Sequence, residues 1–129
     1  MSRIESVGVI GAGVIGSGWI ARFLLNGIDV AVYDPSKDAP KNVNKVIQNA
    51  ERAYAQLLAS DLPKRGTLTF KNTVSDASKS ADIIIEAVPE RLSEKQSVYD
   101  EIELSTNNNI IIADRGTIII VIPCAKMIN

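Results

Sequence analysis

Gly11-Ala12-Gly13-Val14-Ile15-Gly16 places three glycines in the spacing G-x-G-x-x-G, directly after an apolar run and directly before a segment of helical period. No other feature constrains the chain as much. It requires a strand that ends in a tight turn and feeds at once into a helix packed close against it. A second apolar run, Ile28 to Tyr33, follows the helical segment and ends in Asp34. Ser6 to Asp34 therefore reads as strand, glycine turn, helix, strand and acid, the opening βαβ unit of an α/β fold.

Each glycine has a physical task in such a turn. Gly11 permits the tight bend, Gly13 lets the backbone approach a pyrophosphate, and Gly16 lets the helix pack against the strand. The N–H groups at the start of the helix, around Ala12 to Ile15, would face a diphosphate along the positive end of the helix dipole. Asp34 stands about 20 residues beyond the turn, where an acid accepts hydrogen bonds from the adenosine ribose. Its charge repels a 2′-phosphate and favours NAD over NADP, a preference slightly weakened by Lys37. The candidate cofactor residues from this unit are Gly11, Ala12, Gly13, Val14, Ile15, Gly16 and Asp34.

The remaining elements follow in alternation. Ile4 to Ile10 is a near-continuous apolar run, as expected of a central parallel strand, and Gly8 within it invites close approach by a helix. Val14 to Leu25 forms the first helix, with Ile15, Trp19 and Phe23 on one face, and Asn26-Gly27 ends it. Pro35 to Pro40 is a turn. Lys41 to Ser60 is a long helix whose stripe runs through Val43, Val46, Ile47, Ala50, Tyr54, Leu57 and Leu58. Leu62 to Gly66 is a loop, Thr67 to Asn72 a strand with Leu68 and Phe70 inward, and Ser75 to Ser80 a short helical turn. Ala81 to Val88 holds the next strand, Arg91 to Leu104 a helix, Asn107 to Asn109 a turn, and Ile110 to Ala113 a further strand. The Ile-rich Gly116 to Ile122 reads either as a sixth strand or as the stump of a longer protein. This order predicts a doubly wound, mostly parallel sheet with helices on both faces. Residues 1–113 form the nucleotide domain and 114–129 a divergent tail.

Composition narrows the function. A net charge of −1 offers no basic footprint for nucleic acid or an anionic membrane. No apolar run reaches the roughly 18 residues that would span a bilayer. The single cysteine, Cys124, cannot form an internal disulfide, which points to a reducing, cytoplasmic setting. The chain has no histidine. With the usual general base of alcohol oxidation missing and no cluster of metal-ligand spacing, no catalytic residue and no metal site are assigned. Tyr33 and Lys37 match the Tyr-x-x-x-Lys spacing of short-chain dehydrogenases, but Pro35 prevents the shared helix face that pair needs. The turn after the Ala81 to Val88 strand lies at the sheet edge where ligands bind, which makes Glu90 and Lys95 candidate contacts near the nicotinamide half.

Together, Val7 to Pro35, Asn49 to Leu57 (NAERAYAQL) and Ala81 to Lys95 (ADIIIEAVPERLSEK) resemble the NAD-binding domain of 3-hydroxyacyl-coenzyme A dehydrogenases. Trp19, the Asn49 to Leu57 segment and Pro89-Glu90-Arg91 resemble the carnitine-oxidising branch of that family. The resemblance implies NAD as cofactor and oxidation of a 3-hydroxyl to a 3-keto group, L-carnitine to 3-dehydrocarnitine. It assigns Ala87, Val88, Glu90 and Lys95 to the cofactor loop after the fourth strand. It also implies a small hydroxylated substrate and a homodimer for the full-length enzyme. The family's catalytic histidine, with the glutamate that orients it, lies in sequence with no counterpart here, and Thr117 falls near the place of a substrate-contacting serine. Two alternatives stay open: a non-enzymatic NAD-binding module or subunit, and the cofactor domain of another dehydrogenase of this family.

Overall fold

The computed structural model describes residues 4–57, 63–79, 81–87, 111–114 and 118–119, the last two stretches as strand backbone. Six strands and three helices are present among them: β1 (Ser6–Ile10), α1 (Val14–Leu25), β2 (Asp29–Tyr33), α2 (Ala39–Leu57), β3 (Leu68–Phe70), α3 (Val74–Ser78), β4 (Ile83–Glu86), β5 (Ile111–Asp114) and β6 (Ile118–Ile119). The sheet order is β3-β2-β1-β4-β5-β6. The first five strands run parallel, and β6 pairs antiparallel with β5. The Ile-rich end thus contributes a strand to the sheet. The expected helix at Arg91 to Leu104 and turn at Asn107 to Asn109 lie outside the described residues.

Alternation along the strands sorts the side chains between two layers. Val7, Val9, Val30, Val32 and Ile85 face α1 and α2, where they meet Ile20, Ala21 and Leu24 of α1 and Val43 and Ile47 of α2. Each such aliphatic side chain removed from water contributes about 1.5–3 kcal/mol before entropy is counted. Leu68 and Phe70 pack against this cluster as the inward pair of β3. Ile10 and Ile84 face the opposite way and pack with Val74 and Ala77 of α3. Helices therefore lie on both faces of the sheet. A Cβ on Gly8 would stand 2.6 Å from the Ala77 carbonyl oxygen, so the glycine in β1 is what lets α3 sit so near.

The helix boundaries have local causes. Gly27 takes φ +82° past the end of α1, its N–H donating to Leu24 O (3.1 Å) and the Ile28 N–H to Phe23 O (3.0 Å). These paired bonds close the helix, and glycine adopts the left-handed conformation without a Cβ penalty. α2 begins at Ala39, two residues earlier than expected, because Pro40 fits the first turn of a helix, where its missing N–H has no partner to lose. Its stripe leaves the core near the end: Leu57 is 80% exposed. α3 begins at Val74 because the Thr73 hydroxyl accepts a hydrogen bond from the Asp76 N–H at 3.0 Å.

Ile15, Trp19 and Phe23 share a face of α1, but the sheet lies against the neighbouring face formed by Gly16, Ile20, Ala21 and Leu24. α1 is apolar nearly all round, so periodicity left two faces possible, and the close approach at Gly16 selected one. Ile15 and Trp19 remain exposed, the Trp19 and Phe23 rings stack at 5.7 Å, and the Arg22 guanidinium lies 5.8 Å from the Trp19 ring centre.

Candidate functional site

Winding outward from β1, the chain adds β2 and β3 on one side before crossing to β4 and β5 on the other. Such a reversal leaves a crevice at the carboxyl ends of the central strands, the usual ligand position in open α/β sheets. Backbone bonds lace these ends together: Gly11 N–H donates to Tyr33 O, and Ala87 N–H to Ile10 O, both at 2.8 Å. The turn after β1, the end of β2 and the end of β4 thus meet at one place.

The glycine turn is shaped by two different requirements. Gly11 has φ +98°, a left-handed backbone that glycine adopts freely. A Cβ on Gly16 would lie 1.9 Å from the Gly11 carbonyl oxygen, so any side chain there would drive α1 off the turn. Gly13 differs: a Cβ on it would meet nothing within 4 Å. The space beside Gly13 is open, as an approaching pyrophosphate requires.

Gly13 is also the N-cap of α1, and no side chain caps the helix. The first backbone bond of the helix runs from Ser17 N–H to Gly13 O at 2.9 Å, which leaves the N–H groups of Val14, Ile15 and Gly16 ahead of the ladder. No acidic residue occupies the first turn, so the positive end of the helix dipole is not offset locally. This donor set suits the diphosphate of a dinucleotide. The Val14 and Ile15 side chains are exposed and contribute backbone only to this arrangement.

Asp34 is half-buried at the end of β2. Its Oδ2 accepts the Ala12 N–H at 2.7 Å and its Oδ1 accepts the Ser36 N–H at 2.8 Å. The Ala12 N–H, expected among the donors facing a diphosphate, is therefore taken by Asp34. Each carboxylate oxygen keeps a further acceptor position for ribose hydroxyls. Ala87 is brought to the turn as well: its Cβ lies 3.5 Å from a Cβ placed on Gly16. Val88, Glu90 and Lys95 lie outside the described residues.

Two residues at this edge escaped the sequence reading. The Ser17 hydroxyl, almost wholly buried, donates to Ala12 O at 2.9 Å. A small polar residue near the start of a largely apolar helix was the available signal. Glu86, opposite Ile10 in the β1–β4 register, is wholly buried at the end of β4. A carboxylate closing the run Ile83-Ile84-Ile85 was visible but had no assigned use. Among the described residues no cluster of His, Cys, Asp and Glu could hold a metal ion, and no helix is long and apolar enough to cross a membrane.

Comparison with known proteins accords with this geometry. Residues 6–121 match the model of the 3-hydroxyacyl-CoA dehydrogenase NAD binding domain. An L-carnitine dehydrogenase of Mesorhizobium japonicum is 48% identical over 112 residues, covering 87% of this chain and 31% of the relative. One from Oceanobacillus iheyensis is 41% identical over 109 residues, covering 84% of this chain and 36% of the relative. Among solved structures, an NAD+-dependent 5-formyl-3-hydroxy-2-methylpyridine 4-carboxylic acid 5-dehydrogenase superposes with TM-score 0.74 at 32% identity, over 87% of this chain and 37% of that one. A (S)-3-hydroxybutyryl-CoA dehydrogenase of Ralstonia eutropha gives 0.70 at 25% identity, over 87% and 41%. The chain spans about a third of the length of these carnitine dehydrogenases. By its glycine turn, its sheet order and this match, the chain belongs to the 3-hydroxyacyl-CoA dehydrogenase family and is its NAD-binding domain.

Proposed function

We propose that this chain holds NAD+ for the oxidation of a 3-hydroxyl to a 3-keto group, with L-carnitine as substrate and 3-dehydrocarnitine as product. The observation that carries the substrate is the 48% identity to an L-carnitine dehydrogenase over nearly the whole chain. The cofactor residues are Gly11, Gly13, Val14, Ile15 and Gly16 at the diphosphate and Asp34 at the adenosine ribose. Ala12 acts through its bond to Asp34. Ala87, Val88, Glu90 and Lys95 are assigned to the nicotinamide half by the family resemblance, and of these Ala87 stands beside the glycine turn. The bound dinucleotide supplies the hydride acceptor; these residues bind and orient it.

The 129 residues include no histidine. Removal of the hydroxyl proton is therefore assigned to sequence of the kind that makes up the other two-thirds of the relatives, and the chain by itself binds NAD+ without turning over carnitine. A homodimeric, cytoplasmic enzyme belongs to the same reading, supported by the family resemblance and by the lone Cys124. Residues 1–113 are the main part of the cofactor unit in this proposal; of 114–129, Ile118–Ile119 pairs with β5, and residues up to 121 fall within the family match.

A chimera tests whether the domain serves such an oxidation. Residues 6–113 replace the matching segment of the Mesorhizobium enzyme, and NADH formation from NAD+ and L-carnitine is followed. NADH formation supports the assignment. A folded chimera that binds no NAD+ or forms no NADH would contradict it.

A further inference from the structure

Resting on the NAD-binding reading, we infer that Ser17 is a positioning residue for the diphosphate: its buried hydroxyl sets the direction in which the Gly13 N–H is presented. The Ser17 Oγ–H donates to Ala12 O at 2.9 Å, and Ser17 is only 2% exposed, so water does not compete for either group. On the other side of the same residue, the Ala12 N–H is held by Asp34 Oδ2 at 2.7 Å. Ala12 is thereby fixed at both of its backbone polar groups.

The consequence falls on the next amide. The Ala12–Gly13 peptide is planar and trans, so its carbonyl and its N–H point in opposite directions. A carbonyl drawn toward Ser17 turns the Gly13 N–H away from it, at an exposed residue beside which a Cβ would meet nothing within 4 Å. No described residue accepts a hydrogen bond from that N–H. Gly13 has no side chain to restrict its backbone, and α1 has no side-chain cap to hold the turn. The Ser17 hydroxyl thus supplies restraint at the point where the glycine spacing removes it. A donor aimed before the ligand arrives loses less freedom on binding than one that must be ordered.

The test uses the full chain and three probes: NAD+, ADP and adenosine. Ser17→Ala removes the donor without adding bulk, and alanine is well tolerated in a helix. The expected result is about fivefold weaker binding of NAD+ and ADP by calorimetry. Adenosine binding, read from amide NMR shifts, stays unchanged because Asp34 is intact. In the unaltered chain the Gly13 amide resonance should shift with ADP and not with adenosine. The inference is overturned if Ser17→Ala binds ADP as the parent does, if it weakens adenosine equally, or if the Gly13 amide ignores ADP. Failure of the parent chain to bind NAD+ would overturn the cofactor reading itself, and this inference with it.

Discussion

The Ala12 N–H and the Asp34 Oδ2 are 2.7 Å apart, so the acid to which we assign the ribose also fastens the glycine turn to the end of β2. In the proposed site, one carboxylate would therefore couple the diphosphate and ribose halves of the cofactor cradle. Hydrogen bonds to charged groups contribute about 1.5–3 kcal/mol each, more than neutral ones.

Removing that carboxylate should affect both binding and stability. Asp34→Ala leaves the Ala12 and Ser36 N–H groups without their acceptor and should lower NAD+ affinity at least tenfold, on the order of 1.4 kcal/mol. Asp34→Asn retains an amide oxygen that can accept from Ala12, and should melt close to the parent while still binding NAD+ more weakly. Calorimetry and thermal denaturation of both variants check this. Equal NAD+ affinity in Asp34→Ala would remove the ribose role.

Gly16 and Gly13 should separate folding from binding. Gly16→Ala drives a methyl group into the Gly11 carbonyl, at a contact of 1.9 Å, and should destabilise the chain by about 3 kcal/mol or abolish the fold. Gly13→Ala has room for its methyl group and should melt within about 1 kcal/mol of the parent. It should nonetheless lose NAD+ binding, because that methyl group occupies the space the pyrophosphate needs. Unimpaired NAD+ binding by Gly13→Ala would place the diphosphate elsewhere.

Gly8 is expected to act on stability alone. Gly8→Ala forces a methyl group to 2.6 Å from Ala77 O and should cost about 1–3 kcal/mol as α3 is pushed from the sheet. α3 packs over β1 and β2 without contributing to the glycine turn, so NAD+ affinity should stay near that of the parent below the unfolding transition. Denaturant titration measures the first effect and calorimetry the second.

The glycine turn, Asp34 and the parallel order of strands were legible in the sequence because each depends on local backbone geometry and strand alternation. Gly27 at the end of α1 and the inward pair Leu68 and Phe70 were legible for the same reason. The orientation of α1 was not. Its apolar residues run nearly all round, and Ile15–Trp19–Phe23 offered as good a stripe as the Gly16–Ile20–Leu24 face that meets the sheet. Only the close contact between Gly16 and Gly11, which is tertiary, decides between them. The bonds of Asp34 and Ser17 to Ala12 were hidden too, since periodicity carries no information about which backbone group a polar side chain reaches. The start of α2 was hidden because Pro35 to Pro40 has the composition of a turn, whereas Pro40 in the first turn is compatible with the helix.

The most direct test of the account is calorimetric titration of NAD+ and NADP+ into the 129-residue chain. Saturable one-to-one binding of NAD+ is expected, with NADP+ about tenfold weaker or more because its 2′-phosphate meets the Asp34 carboxylate. Absence of saturable NAD+ binding, or tighter binding of NADP+, would contradict it.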